Sequence, residues 1–101
     1  MDDQTRQGRD IQIAIGKALL SRWDPLMLGD QPEARHEYDE YVGGVYRLLA
    51  EGASDKVIAQ HLTQVETSAL GFEDTDWKYL VPVAHKLRKV YRRLVPDSHA
   101  T

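Results

Sequence analysis

The sequence predicts an all-α fold, a compact bundle of four helical segments with the last kinked or split at Pro82. Apolar residues recur at helical spacing in four separate stretches. Those stretches are divided by helix stop and start signals of the Pro, Gly, Ser and Asp type. No stretch alternates apolar and polar residues as a half-buried strand does. Short connections imply largely antiparallel neighbours, and the Gly and Pro breaks leave no heptad run for a coiled coil.

The first segment runs from about Arg9 to Arg22. Ile11, Ile15, Leu19 and Trp23 repeat at spacing four, flanked by Ala14 and Ala18, which defines a core-facing stripe. Gly16 weakens it by about 1 kcal/mol relative to Ala. Pro25 disfavours the α conformation at Asp24, so the helix ends near Trp23. In the linker, Leu26, Met27 and Leu28 are apolar enough to be expected against the core. The second segment opens at Pro32, where a missing N–H is harmless, and continues to about Glu51. Its face is Tyr38, Val42, Val45, Tyr46 and Leu49. Gly43 and Gly44 in mid-helix cost about 2 kcal/mol together, which implies a close-packed ring or backbone there, from within the chain or from a second subunit. Gly52 is expected as the C-cap.

Ser54 suits the N-cap of a third segment, from Asp55 to Leu70. Its stripe is Val57, Ile58, His61, Leu62, Val65 and Ala69, and Gly71 ends it. Asp74 or Asp76 opens the fourth, which reaches about Leu94 through Leu80, Val83, Ala84, Leu87, Val90 and Tyr91. Pro82 falls inside this pattern. It either kinks one helix or separates a short turn at 76–80 from a helix starting near Val81. Frayed ends are expected at about 1–8 and 96–101.

One hundred and one residues form a single domain with a modest core. The chain has no cysteine, which excludes disulfides and thiolate zinc sites. The charged start MDDQTRQGRD is no secretory signal. No apolar run reaches the roughly 18 residues of a membrane span. These features predict a cytoplasmic protein with no membrane association. The net charge of −3 argues against general nucleic-acid binding.

Charge is unevenly spread. Six acids and one base, Arg35, lie between Asp24 and Tyr41, and five bases with no acid lie between Lys86 and Arg93. The basic run is either a solvated helix face near a C-terminus or, with Tyr91, a basic–aromatic strip. His36, Asp39 and Glu40 share a helix face and form a weak metal-ligand pattern; a solvated face is the simpler reading. His61 and His85 stand on apolar stripes and read as satisfied core-edge histidines, with His99 in the tail. Glu37, Asp39 and Glu40 could perturb one another, but acid–base work needs them in a cleft. No serine sits in an elbow motif and no glycine-rich phosphate loop exists. The chain is therefore read as no enzyme, with no cofactor and no metal. Trp23, Tyr38, Tyr41, Tyr46, Trp77, Tyr79 and Tyr91 are expected in the core or at its rim. Tyr38 and Tyr41 lie about 300° apart around a helix, which sends Tyr41 to the rim.

Trp23-Asp24-Pro25-Leu26, Glu37-Tyr38-Asp39-Glu40-Tyr41-Val42, Val45-Tyr46-Arg47-Leu48-Leu49, Gly52-Ala53-Ser54, Ile58-Ala59-Gln60-His61-Leu62 and Leu80 to Ala84 follow one another along most of the chain. This pattern resembles a family of small bacterial helical proteins, some of which look like immunity proteins of contact-dependent or polymorphic toxins. It departs from the family at Glu73-Asp74-Thr75-Asp76, where relatives often carry an apolar start to the fourth helix. The resemblance implies a binding protein whose partner is a cognate toxin C-terminal domain, often a nuclease. An acidic helix can occupy the cationic surface that such a nuclease offers to phosphates. Asp24, Glu33, Glu37, Asp39, Glu40 and Tyr41 are the expected partner face, with Trp23 and Pro25 structural. The alternative is a generic protein–protein interaction module without catalytic activity.

Overall fold

In the computed structural model, residues 2–25, 27, 38–73 and 75–95 are described, and they form an all-α bundle. Helix α1 spans Asp2–Ala18 and passes directly into a π-helical turn, Leu19–Trp23. Helix α2 spans Asp39–Ala50, α3 Asp55–Ser68 and α4 Val81–Leu94, with a 3₁₀ turn, Trp77–Leu80, leading into α4. There is no strand among the described residues.

Ile11, Ile15, Leu19 and Trp23 are all buried, so the spacing-four stripe is the inner face of α1 and of its π turn. Helix α1 starts at Asp2 rather than near Arg9, because the apolar stripe marks only the part of the helix that meets the core. The amide of Asp24 donates to Leu19 O at 2.8 Å, five residues back, and closes the wide turn. Asp24 then takes a left-handed conformation, φ 35°, as the helix stops before Pro25. Met27 also has a positive φ of 58° and donates its amide to Asp24 O. Its side chain is 85% exposed, contrary to the expected packing of the linker; Leu26 and Leu28 lie outside the described residues.

Helix α2 begins at Asp39, with Tyr38 in a turn at its N-cap. The expected opening at Pro32 lies outside the described residues, and Tyr38 (ψ 8°) is not itself helical. Val42, Val45 and Leu49 form the buried face. Gly52 and Gly71 both have φ near +75°, the region where a missing Cβ removes strain, and they close α2 and α3. At the second of these, Phe72 N donates to Glu66 O at 2.7 Å. Ser54 caps α3 by accepting from Val57 N.

The buried face of α3 is Ile58, Ala59, Leu62 and Glu66, turned slightly from the predicted stripe, so Val57 and Ala69 face solvent. Pro82 does not kink a continuous helix. It sits in the first turn of α4, and the 3₁₀ turn before it is capped by Asp76 Oδ1 accepting from Lys78 N. That is the second of the two predicted alternatives, and it suits the absent N–H of proline.

Helix α1 packs on α2 and α4, and α3 packs on α4 and the 3₁₀ turn. Gln7 Nε2 donates to Leu94 O, while the π turn at the other end of α1 also meets α4, so the two helices run antiparallel. Ala84 and Leu87 carry α4 into the shared core. The mid-helix glycine pair resolves into two environments. A Cβ on Gly44 would lie 3.0 Å from His61 Nε2, so α3 presses a ring into that notch, whereas a Cβ on Gly43 would meet nothing within 4 Å.

Candidate functional site

The Trp-Asp-Pro stop and the Tyr-Asp-Glu-Tyr start of α2 meet in space. Trp23 lies at the end of the π turn with its ring centroid 5.3 Å from Tyr38 and 6.0 Å from Tyr41, the latter pair edge-on at 87°. Edge-to-face pairs of this kind add about 1 kcal/mol beyond the area they bury. The indole N–H donates to Glu66 Oε2 at 3.0 Å in the buried interior. Tyr38 is buried, and its hydroxyl donates to Asp24 Oδ1 at 2.8 Å. Tyr41 is half-buried at the rim, as the helical geometry requires.

Asp24 is thus half-buried, with its carboxylate engaged by Tyr38. Asp39 and Glu40 are exposed in the first turn of α2, where negative charge also suits the positive end of the helix dipole. Asp39 leans towards α1, with Oδ1 3.5 Å from where a Cβ on Gly16 would stand. Asp24, Asp39, Glu40 and Tyr41 therefore gather around one corner, where α1 ends and α2 begins. Glu33, Glu37 and His36 lie outside the described residues. Among the described residues, no three His, Cys, Asp or Glu side chains gather where a cation could be held.

Glu66 was not singled out by the sequence. It is the polar member of the series Ile58, Leu62, Glu66, all buried on one face of α3. A carboxylate placed in step with two core residues was the available signal, since such a group must find a partner.

A second polar cluster ties α3 to α4. Arg88 Nη1 donates to Asp55 Oδ1 at 2.9 Å, and His85 Nδ1 pairs with Asp55 Oδ2 at 3.2 Å. Burial alone would raise the Asp55 pKa. The bonds and charges of Arg88 and His85 together outweigh it, and the carboxyl lies below its ordinary range. His85 is therefore an exposed hydrogen-bonding partner of Asp55 rather than a core-edge residue. Lys86, Lys89, Arg92 and Arg93 form no ion pair with described residues. Tyr79, in the 3₁₀ turn, is 81% exposed, against its expected place in the core or at its rim. Trp77 is half-buried beneath the Lys56 ammonium, 5.3 Å from its ring centre.

No helix of the described residues is long and apolar enough to cross a membrane. No family model, curated protein or solved structure matches this chain.

Proposed function

We propose that this chain is a non-catalytic binding protein of the immunity type, which neutralises a bacterial toxin domain by docking the corner where α2 begins. The observation that carries this reading is the exposed pair Asp39 and Glu40 beside the half-buried Tyr41, whose ring rests edge-on against Trp23. A tyrosine held by a second ring supplies contact area at low entropic cost, and flanking acids steer a basic partner. The partner of matching chemistry is a cationic, phosphate-binding surface such as a nuclease toxin presents. Asp24 supports the face through Tyr38, and Glu33 and Glu37 extend the acidic sequence leading into it.

The test is affinity capture with the tagged protein at low salt, followed by mass spectrometry and titration of the recovered partner. The reading requires the C-terminal domain of a large secreted protein, released by high salt. The double variant Glu37→Lys/Glu40→Lys should abolish capture while the melting transition stays nearly in place. Capture that survives this charge reversal would sink the proposal.

A further inference from the structure

The solvent side of α4 carries a second feature, independent of the docking corner. Its polar side holds bases and no acid. His85 and Arg88 are committed to Asp55 of α3. Lys86, Lys89, Arg92 and Arg93 have no acidic partner among the described residues. The 3₁₀ turn runs directly into α4 and extends the row. Tyr79, Pro82, Lys86, Lys89 and Arg93 follow one another at intervals of three and four, the spacing of one helix side. Lys86 is half-buried and the other four are exposed, as is Arg92 beside them. Ala84 and Leu87, on the opposite side, are buried in the core, so the row faces away from the bundle. Tyr79 thus stands as a nearly free ring at the head of a line of cations.

A row of cations answers a chain of anions, and a free ring answers a flat, unpaired face. Single-stranded nucleic acid offers both. Its phosphates release counterions to Lys and Arg, and its bases stack on an exposed aromatic whatever their identity. A duplex keeps its bases stacked on one another and leaves Tyr79 without a role. A membrane-surface helix needs an aliphatic side to bury in the lipid, and the row holds no Leu, Ile or Val. From Tyr79 to Arg93 the backbone advances about 21 Å, the run of about six phosphates of a stacked strand. The net charge of −3 does not oppose this contact locally. Gln7 bonds to Leu94 O, which puts the Arg92 and Arg93 end of α4 beside the start of α1. From there α1 and its π turn advance about 25 Å to Asp24, well beyond a Debye length of about 8 Å. We propose that the outward side of α4 binds single-stranded nucleic acid without sequence preference, with Lys86, Lys89, Arg92 and Arg93 on phosphates and a base stacked on Tyr79.

The test is fluorescence anisotropy of a labelled oligothymidylate of about twelve nucleotides, titrated with the full chain between about 50 and 200 mM salt. Binding should saturate with Kd on the order of 10⁻⁵ M at the lowest salt. The slope of log K against log salt should lie between about −2 and −3, for three to four phosphates at roughly 0.7 each. An oligoadenylate of equal length should bind within a few-fold. An abasic strand of equal charge should bind about tenfold more weakly. Tyr79→Ala should lose the same factor on the oligothymidylate and nothing on the abasic strand. Lys89→Gln should flatten the salt slope by about 0.7. Lys89→Glu/Arg93→Glu should abolish binding and leave the melting temperature nearly unchanged, since both side chains are exposed. Equal binding of the abasic strand, a duplex bound as tightly as the single strand, indifference to the Lys89 and Arg93 reversal, or tighter binding to phosphatidylserine vesicles than to the oligonucleotide would each overturn the assignment.

Discussion

Trp23 Nε1 and Glu66 Oε2 lie 3.0 Å apart in the buried interior, 43 residues apart in sequence. This bond joins the π turn to the last turn of α3 and fixes the ring against which Tyr38 and Tyr41 rest. Removing one partner of a buried pair leaves the other unsatisfied, which costs more than the bond itself is worth. Glu66→Gln keeps an oxygen acceptor and should cost less than about 1 kcal/mol. Trp23→Phe strands the carboxylate and also removes packed area, and should cost about 3 kcal/mol or more. Urea unfolding curves of the two variants would check this ordering, and equal losses would mean that the hydrogen bond contributes little beyond the ring.

Gly43 and Gly44 are neighbours with opposite expectations. Alanine is favoured over glycine in a helix interior by about 1 kcal/mol. At Gly43 nothing opposes that gain, so Gly43→Ala should raise stability by up to about 1 kcal/mol. At Gly44 the new methyl would fall 3.0 Å from His61 Nε2 and must push the ring outward. Gly44→Ala should therefore be the less stable of the two variants. Thermal melts of both proteins would settle it, and the reverse ranking would contradict the ring-in-notch packing.

Much of this fold can be read from spacing alone, and the misses have physical causes. The stripe from Ile11 to Trp23 reports burial directly, and Ser54, Gly52 and Gly71 act locally through backbone geometry, so these were legible, whereas Pro82 marked a break without deciding between a kink and a helix start. The start of α1 was not legible, because residues 2–8 carry no apolar period. The π turn was not either. Pro25 announces an ending, but the choice between bonds four and five residues back depends on how Trp23 seats against Glu66, Tyr38 and Tyr41. At the candidate face, the acids and Tyr41 were visible as a composition. The engagement of Asp24 by Tyr38 is a tertiary contact that no local pattern encodes.

Acid should loosen the bundle in two separate ranges. Burial lowers the pKa of His61 below 6.5 in the folded chain. The unfolded chain therefore binds the proton more readily, so stability is intact above that value and declines as the pH falls through it. Asp55 is also depressed, and its contribution is present above the unfolded carboxylate pKa, near 4. That contribution disappears as the pH falls through the lower folded value. His61→Gln should flatten the upper phase and Asp55→Asn the lower one. Denaturation midpoints measured from pH 8 to pH 3 on the three proteins would check both assignments, and two unchanged profiles would refute them.

Asp24 combines a left-handed backbone, φ 35° and ψ 58°, with a side-chain bond to the Tyr38 hydroxyl at 2.8 Å. Asn and Asp tolerate that backbone far better than other residues with a Cβ. Asp24→Asn keeps both the conformation and an acceptor, and should cost less than about 1 kcal/mol. Asp24→Val places a β-branched side chain at positive φ and removes the Oδ1 that accepts from the Tyr38 hydroxyl. Strain of about 1–3 kcal/mol adds to the lost bond, so this variant should be clearly less stable than Asp24→Asn. Tyr38→Phe separates the two effects, since it removes the bond and leaves the backbone at Asp24 unaltered. If Tyr38→Phe and Asp24→Val lost the same stability, the left-handed backbone at Asp24 would add little to the requirement. A much larger loss in Asp24→Val would assign the requirement for Asp chiefly to its backbone.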